Sequence, residues 1–262
     1  MILKVNKDLK SQFWEYVSYE ESINIFIIGD VESYGFDTEF QEVWFQLDNE
    51  KNITSLILRY YSSLIIYSYK NDFDVDELIE HINSLDIKVI NGKKSVIDKL
   101  IGKYTNFKYK KESYFCSLKN ISNMDFSNMD NYKIEEALTA DLEDIYSLLS
   151  EIEDFKLDNY VELKKHQLKT NSARVYLIKE NNKVISTCAT GIENSFLAMV
   201  NAVATDEKYR NRGLATYIVY KISKHLLEEG KTPCLLYCNK EVSNIYRSIG
   251  YREEDKWVMI YK

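Results

Sequence analysis

The stretch YRNRGLAT, residues 209–216, decides how this chain is read. It joins an apolar run, AMVNAVATD (198–206), to a longer stretch, LATYIVYKISKHLLEEG (214–230). The first has the β-branched and small residues of a strand. The second places Leu214, Ile218, Ile222 and Leu226 on one stripe, the spacing of an amphipathic helix that Gly230 ends. The chain has only 8 glycines in 262 residues, and one of them, Gly213, sits at this strand-to-helix junction, between two arginines and the helical run. At such a junction the first helical N–H groups have no partner inside the helix, and the helix dipole favours an anion there. Glycine admits a phosphate close to the backbone, and Arg210 and Arg212 add forked cationic donors. The stretch reads as a cradle for a pyrophosphate.

Two better-known phosphate turns do not fit. A P-loop needs a second glycine and a Lys followed by Ser or Thr, and the dinucleotide fingerprint needs three glycines. Outward from the junction, the second half reads as an ordered series. YKIEEAL is a strand, TADLEDIYSLLSEI a helix with Thr139 as N-cap, and NYVELKKHQLKT a second helix. Three strands span 173–206, with Asn181-Asn182 at the first hairpin turn. After the long helix come a strand, TPCLLYC, a short helix, EVSNIYRSIG, and a last strand, KWVMIYK, expected to close that sheet. The fold class is α/β, with a mixed, mostly antiparallel sheet flanked by helices.

The pattern Arg-x-x-Gly-x-Ala (Arg210, Gly213, Ala215) resembles the acetyl-CoA-binding motif of the GNAT superfamily of N-acetyltransferases. NKEVSNIYRSIGY (239–251) resembles the same superfamily's later Asn–Tyr–Gly segment through Asn239, Tyr246 and Gly250, with Val242 and Tyr251 departing from it. The detailed resemblance covers 203–251, and the element order extends it to 133–262. It implies an acyl-CoA N-acyltransferase fold and an acetyltransferase. Acetyl-CoA is the implied donor, no metal is needed, and the acceptor is a small-molecule amine or a peptide. Pyrophosphate would lie on the backbone of Asn211, Arg212, Gly213, Leu214, Ala215 and Thr216, with Arg210 alongside. The pantetheine arm would run along Val203, Ala204 and Thr205 as an added strand. An N–H near Val203 would polarise the thioester carbonyl, and Asn239 would touch the CoA arm. Tyr246 would be the acid that protonates the departing thiolate. Met199 holds the position where several superfamily members carry a carboxylate base. Glu193, Glu153 and Asp154 are the remaining candidates, beside a water chain, and His166 reads as exposed. The alternative is an acetyl-CoA-binding regulatory module with little or no transferase activity.

The first half repeats the order of strands and helices. NGKKSVIDKLIG (91–102) laid over NKEVSNIYRSIG (239–250) matches Asn, Ser, Ile, Ile and Gly. Two tandem GNAT-like domains are therefore expected: 1–118, a linker at 119–132, and 133–262. The first lacks a glycine before its helix at 75–85 and has KNDFDVDEL there, whose aspartates repel phosphate, and Asp98 stands where the second half has Tyr246. It is read as a half that has lost its CoA site and helps to form the acceptor pocket, with FIIGDVESYGFD (26–37) as a loop for acceptor contact.

Charge and composition exclude some classes. Net charge is −7, with −6 of it in residues 1–130, so a broad nucleic-acid footprint is not expected. Four cysteines (116, 188, 234, 238) are too few for a disulfide framework and read as buried free thiols. No apolar run reaches membrane-spanning length, and residues 1–17 lack a signal-peptide core, so a cytoplasmic protein is expected. Nothing in the sequence fixes an oligomeric state.

Overall fold

The computed structural model describes residues 1–152, 158–170 and 172–262. The chain divides into two compact units, Met1–Phe115 with Glu253–Lys262, and Cys116–Arg252. Among the described residues no helix is long and apolar enough to cross a membrane.

The chain runs β1 (Ile2–Lys4), α1 (Lys10–Ser18), α2 (Ile25–Tyr34), β2 (Gln41–Leu47), β3 (Ile53–Tyr60), β4 (Ser63–Tyr67), α3 (Val75–Asn83), β5 (Val89–Lys93), α4 (Lys94–Ile101) and β6 (Tyr109–Ser117). It continues with β7 (Ile134–Glu136), α5 (Leu142–Ser150), α6 (Tyr160–Lys169), β8 (Val175–Glu180), β9 (Lys183–Glu193), β10 (Leu197–Thr205), α7 (Leu214–Glu228), β11 (Thr232–Tyr237), α8 (Ser243–Ile249) and β12 (Arg252–Tyr261). Short 3-10 turns aside, the second series repeats the first element for element.

In the first unit the strands lie in the order β1-β2-β3-β4-β5-β12, with β6 next. Only β4 and β5 are parallel among the paired strands β1 to β5. KWVMIYK does not close the sheet of the second half: β12 pairs antiparallel with β5, Trp257 opposite Lys93 and Tyr261 opposite Val89. Its apolar side chains Val258 and Ile260 complete a core with Leu64, Ile66, Leu78 and Ile97. FIIGDVESYGFD is not a loop. Ile25, Ile27, Ile28 and Val31 are buried, which holds most of it as α2, and Gly35 at φ +78° ends that helix.

In the second unit the order is β11-β10-β9-β8-β7, with β10 and β11 parallel and the rest antiparallel. Asn181 and Asn182 both have positive φ, as a two-residue hairpin turn demands. α5 buries Leu142, Ile145 and Leu149 as its periodicity predicts. Thr139 is not its cap: it opens a 3-10 turn, and Asp141 accepts a hydrogen bond from the Leu138 amide instead. Gly230 (φ +79°) ends α7, where the Lys231 amide reaches the Leu226 carbonyl. In the segment 119–132, Phe126 packs on Tyr217 and Tyr220 of α7, and Met129 is buried.

Candidate active site

Residues at the junction of β10 and α7 adopt the turn that the sequence implies. Gly213 is the N-cap of α7 at φ +82°, ψ 4°, and no side chain caps the helix. Asn211 also has positive φ, at +62°. Left-handed residues leading into a right-handed helix turn successive amides toward one concavity, which suits an anion. Arg210 donates through Nε to the Thr205 carbonyl at 3.2 Å, which fixes the side chain beside the turn and leaves its terminal amino groups without a hydrogen bond among the described residues. Arg212 donates to the Lys208 carbonyl and lies over the Tyr209 ring. The backbone of Leu214, Ala215 and Thr216 forms the first turn of α7. These donors fit a diphosphate.

The equivalent helix start in the first unit is closed. The Asp74 carboxylate accepts hydrogen bonds from the Asp76 and Glu77 amides at 2.9 and 3.2 Å. The helix caps itself, and Asp76 and Glu77 add negative charge in its first turn.

A second feature lies along β10. Its parallel ladder with β11 runs from Leu197–Thr232 to Val200–Leu235 and stops. A register shift against β9 follows between Asn201 and Ala204, with Ala202 at φ +49°. This is a β-bulge, which bends a strand and increases its twist. β10 therefore leaves β11 at Val200, and Val203, Ala204 and Thr205 have no ladder partner on that edge among the described residues. A parting of parallel strands with a free edge is a slot for an extended chain that can hydrogen-bond to the backbone.

Tyr246 stands on α8, 8% exposed, stacked on Tyr237 with centroids 5.5 Å apart and edge-on to Tyr251. Burial raises its phenol above the ordinary tyrosine range, so it is protonated at neutral pH. Asn239 lies exposed at the start of a 3-10 turn, where its Oδ1 accepts from the Glu241 amide at 2.8 Å.

Glu193 is not free to act as a base. Arg174 holds it in a fork at 3.0 and 3.1 Å, Lys231 at 2.8 Å, and the Thr190 hydroxyl at 2.6 Å. Burial pushes its carboxyl up, but the bonds from Lys231 and Thr190 and the charges of Arg174 and Lys231 outweigh burial and hold it low. Glu153 and Asp154 lie outside the described residues. Met199 is buried in β10, and His166 is exposed. Cys116, Cys188 and Cys234 are buried and in no disulfide, as expected, but Cys238 is exposed because β11 ends at Tyr237. Among the described residues no group of His, Cys, Asp and Glu is placed to hold a metal. A cavity of 540 Å³ between the end of β7, the end of α6 and the start of β8 shares no residue with the turn or the strand parting.

The sequence reading passed over Lys164. It is on α6, 5% exposed, and donates to the Thr190 carbonyl at 3.0 Å. Tyr160, Lys164 and Leu168 recur at helical spacing, a stripe turned toward the sheet in which a lysine is the odd member. Burial lowers its ammonium from 10.5 to about 8. The unfolded chain then binds the proton more tightly than the folded one, so this residue's contribution to stability rises with pH between about 8 and 10.5. Below that window Lys164→Met is expected to stabilise the fold by ~2 kcal/mol, the burial penalty less one hydrogen bond. The gain shrinks as pH rises from 8 and disappears near the ordinary lysine value. Thermal unfolding of both proteins at neutral pH and at pH 10 measures it.

A family model described as GNAT acetyltransferase matches residues 30–260. A comparison with curated proteins gives no match. Among solved structures, a GNAT-family acetyltransferase from Colwellia psychrerythraea is similar over 100% of both chains, at 14% identity and TM-score 0.61. A GCN5-related N-acetyltransferase-like protein from Streptococcus suis is similar over 98% of this chain and 99% of its own, at 14% identity and TM-score 0.59. A tandem GNAT protein from the clavulanic acid biosynthesis pathway covers 100% of this chain and 98% of its own, at 10% identity and TM-score 0.57. At these identities the likeness is one of fold.

Proposed function

This chain belongs to the GNAT acetyltransferase family, acyltransferases that use acetyl-CoA and act on amines, and from that premise we propose that it acetylates a primary amine by direct attack, with Tyr246 as the acid. The observation that carries the proposal is the pairing of an uncapped α7 N-terminus at Gly213 with the parting of β10 from β11 at Val200.

Acetyl-CoA supplies an activated acyl group. The amides of Asn211 to Thr216 and the free guanidinium nitrogens of Arg210 hold its diphosphate. Val203, Ala204 and Thr205 hold the pantetheine arm by their unpaired edge. The Val203 amide polarises the thioester carbonyl, where negative charge grows as the amine attacks. Asn239 lies against the arm. The C–N bond forms, the C–S bond breaks, and the Tyr246 hydroxyl passes its proton to sulfur. The proton shed by nitrogen returns to Tyr246 through solvent, so the cycle closes without net uptake. Burial raises the Cys188 thiol, an electrostatic neighbour of Tyr246. A coenzyme A thiolate in the same surroundings becomes more basic for the same reason and takes the phenol's proton.

The tandem reading belongs to the same proposal. Residues 1–118 form a GNAT-like half that does not hold CoA, 119–132 join the halves, and 133–262 carry the chemistry. The self-capped start of α3 and its acidic first turn support this. The test is coenzyme A release from acetyl-CoA by the full chain with a panel of primary amines. Amine-dependent release, lost in Tyr246→Phe, supports the proposal; tight acetyl-CoA binding with no release under any amine contradicts it.

A further inference from the structure

The inner face of α6 carries polar groups that the described residues do not complete. Tyr160 is 9% exposed, and its hydroxyl has no hydrogen-bond partner among the described residues. Lys164, one turn on, offers three N–H donors and uses one, on the Thr190 carbonyl. Among the described residues no carboxylate pairs with it. Residues four apart on a helix stand on one face, so Tyr160 and Lys164 leave α6 on the same side. Tyr160 belongs to the same core cluster as Ala189, Ala202 and Ala204 of the sheet, which are all small. Gln167, on the next turn, leaves its buried Oε1 unpaired as well.

A buried charge without a counter-charge is expensive, as is a buried hydroxyl without a partner. Two such donors on one face of a helix call for something that arrives later and accepts from both. Their place in the fold says what that is. Thr190, which Lys164 holds, lies opposite Val200 in the β9–β10 ladder. Val200 is the residue at which β10 leaves β11. Lys164 and Tyr246 are also both electrostatic neighbours of one thiol, Cys188. Lys164 is therefore tied through Thr190 to the strand position at which β10 leaves β11, and through Cys188 to the acid.

We infer that Tyr160 and Lys164 form the receptor for an oxyanion on the acceptor, and that the acceptor is an amine bearing a carboxylate, the chemistry of an amino acid. The carboxylate accepts from Lys164 Nζ and from the Tyr160 hydroxyl and brings the missing counter-charge. The unpaired Gln167 oxygen meets an N–H of the same molecule. This assignment rests on the acyl-transfer reading. It also accounts for the stability that Lys164 costs the free protein, a trade common at functional sites.

The experiment uses the full chain, acetyl-CoA, and matched acceptors: α-amino acids, their decarboxylated amines, and aminophosphonate analogues. Coenzyme A release gives kcat/KM for each, and calorimetry gives acetyl-CoA affinity for the parent, Lys164→Met and Tyr160→Phe. At least one amino acid is expected to exceed its decarboxylated amine by ~10-fold or more, from hydrogen bonds to a charged group. Lys164→Met should erase that preference and Tyr160→Phe reduce it several-fold, both with unchanged acetyl-CoA affinity. Tyr160→Phe keeps the buried ring, so its result stands even where Lys164→Met perturbs packing. Preference for an aminophosphonate over the amino acid shows an oxyanion receptor tuned to phosphate and overturns the carboxylate assignment. Equal use of amines with and without a carboxylate, no release with any carboxylate-bearing amine, or a preference that survives Lys164→Met also overturns it. Turnover of plain amines in that case leaves the acyl-transfer reading standing, whereas failure of the parent to bind acetyl-CoA removes both.

Discussion

Tyr246→Phe is expected to lower kcat by ~100-fold or more while acetyl-CoA affinity stays within about twofold, the range for loss of a positioned general acid. The substitution removes one oxygen and keeps the ring. That ring is stacked on Tyr237 and set edge-on to Tyr251, so the packing of α8 survives. Because burial raises the phenol, it remains protonated across the neutral and mildly alkaline range. The parent should therefore show no fall in kcat attributable to Tyr246 between pH 7 and about 10. A fall in that range would belong to another group. Steady-state kinetics with a fixed amine, beside calorimetric titration of acetyl-CoA, measures both quantities. A drop in affinity equal to the drop in kcat/KM, with kcat unchanged, would make Tyr246 a binding residue.

Gly213→Val is expected to weaken acetyl-CoA binding by ~30-fold or more and to leave the core of the second unit folded. At φ +82° a β-branched residue is strained by roughly 1–2 kcal/mol. A Cβ at that position would also meet Met129 Cε at 2.8 Å. The methionine end can move, but the backbone must shift toward ordinary φ to relieve the rest. That shift turns the Leu214, Ala215 and Thr216 amides away from the diphosphate, and each bond lost to a charged group costs about 1.5–3 kcal/mol. Gly213→Ala, with the same strained φ but a smaller side chain, should fall between parent and valine. Calorimetry and far-UV circular dichroism on the three proteins check the order and the fold.

The readable parts of this molecule were those fixed by local chemistry. Gly213 reveals its turn because few residues tolerate that φ, and Asn181-Asn182 reveal a hairpin for the same reason. The stripe on α7 is legible from its period alone. Non-local facts were not. KWVMIYK reads as a strand, but nothing in seven residues says that β5 is its neighbour. The bulge at Ala202 has no sequence sign, since alanine is not a residue that favours positive φ. FIIGDVESYGFD hides α2 because its apolar residues run together without a helical period and include a glycine. Glu193 looks like a free carboxylate until Arg174 and Lys231 arrive from other elements. Lys164 hides among other charges on a polar helix, and only burial separates it from Lys165 beside it.

The most direct test of the whole account is a calorimetric titration of acetyl-CoA into the full chain and into the Arg210→Ala/Arg212→Ala double variant. The account predicts micromolar binding by the parent, weakened ~10-fold or more in the variant as charged contacts to the diphosphate are lost. Binding of equal strength by both proteins, or no binding by the parent while ATP or NAD binds, would contradict it.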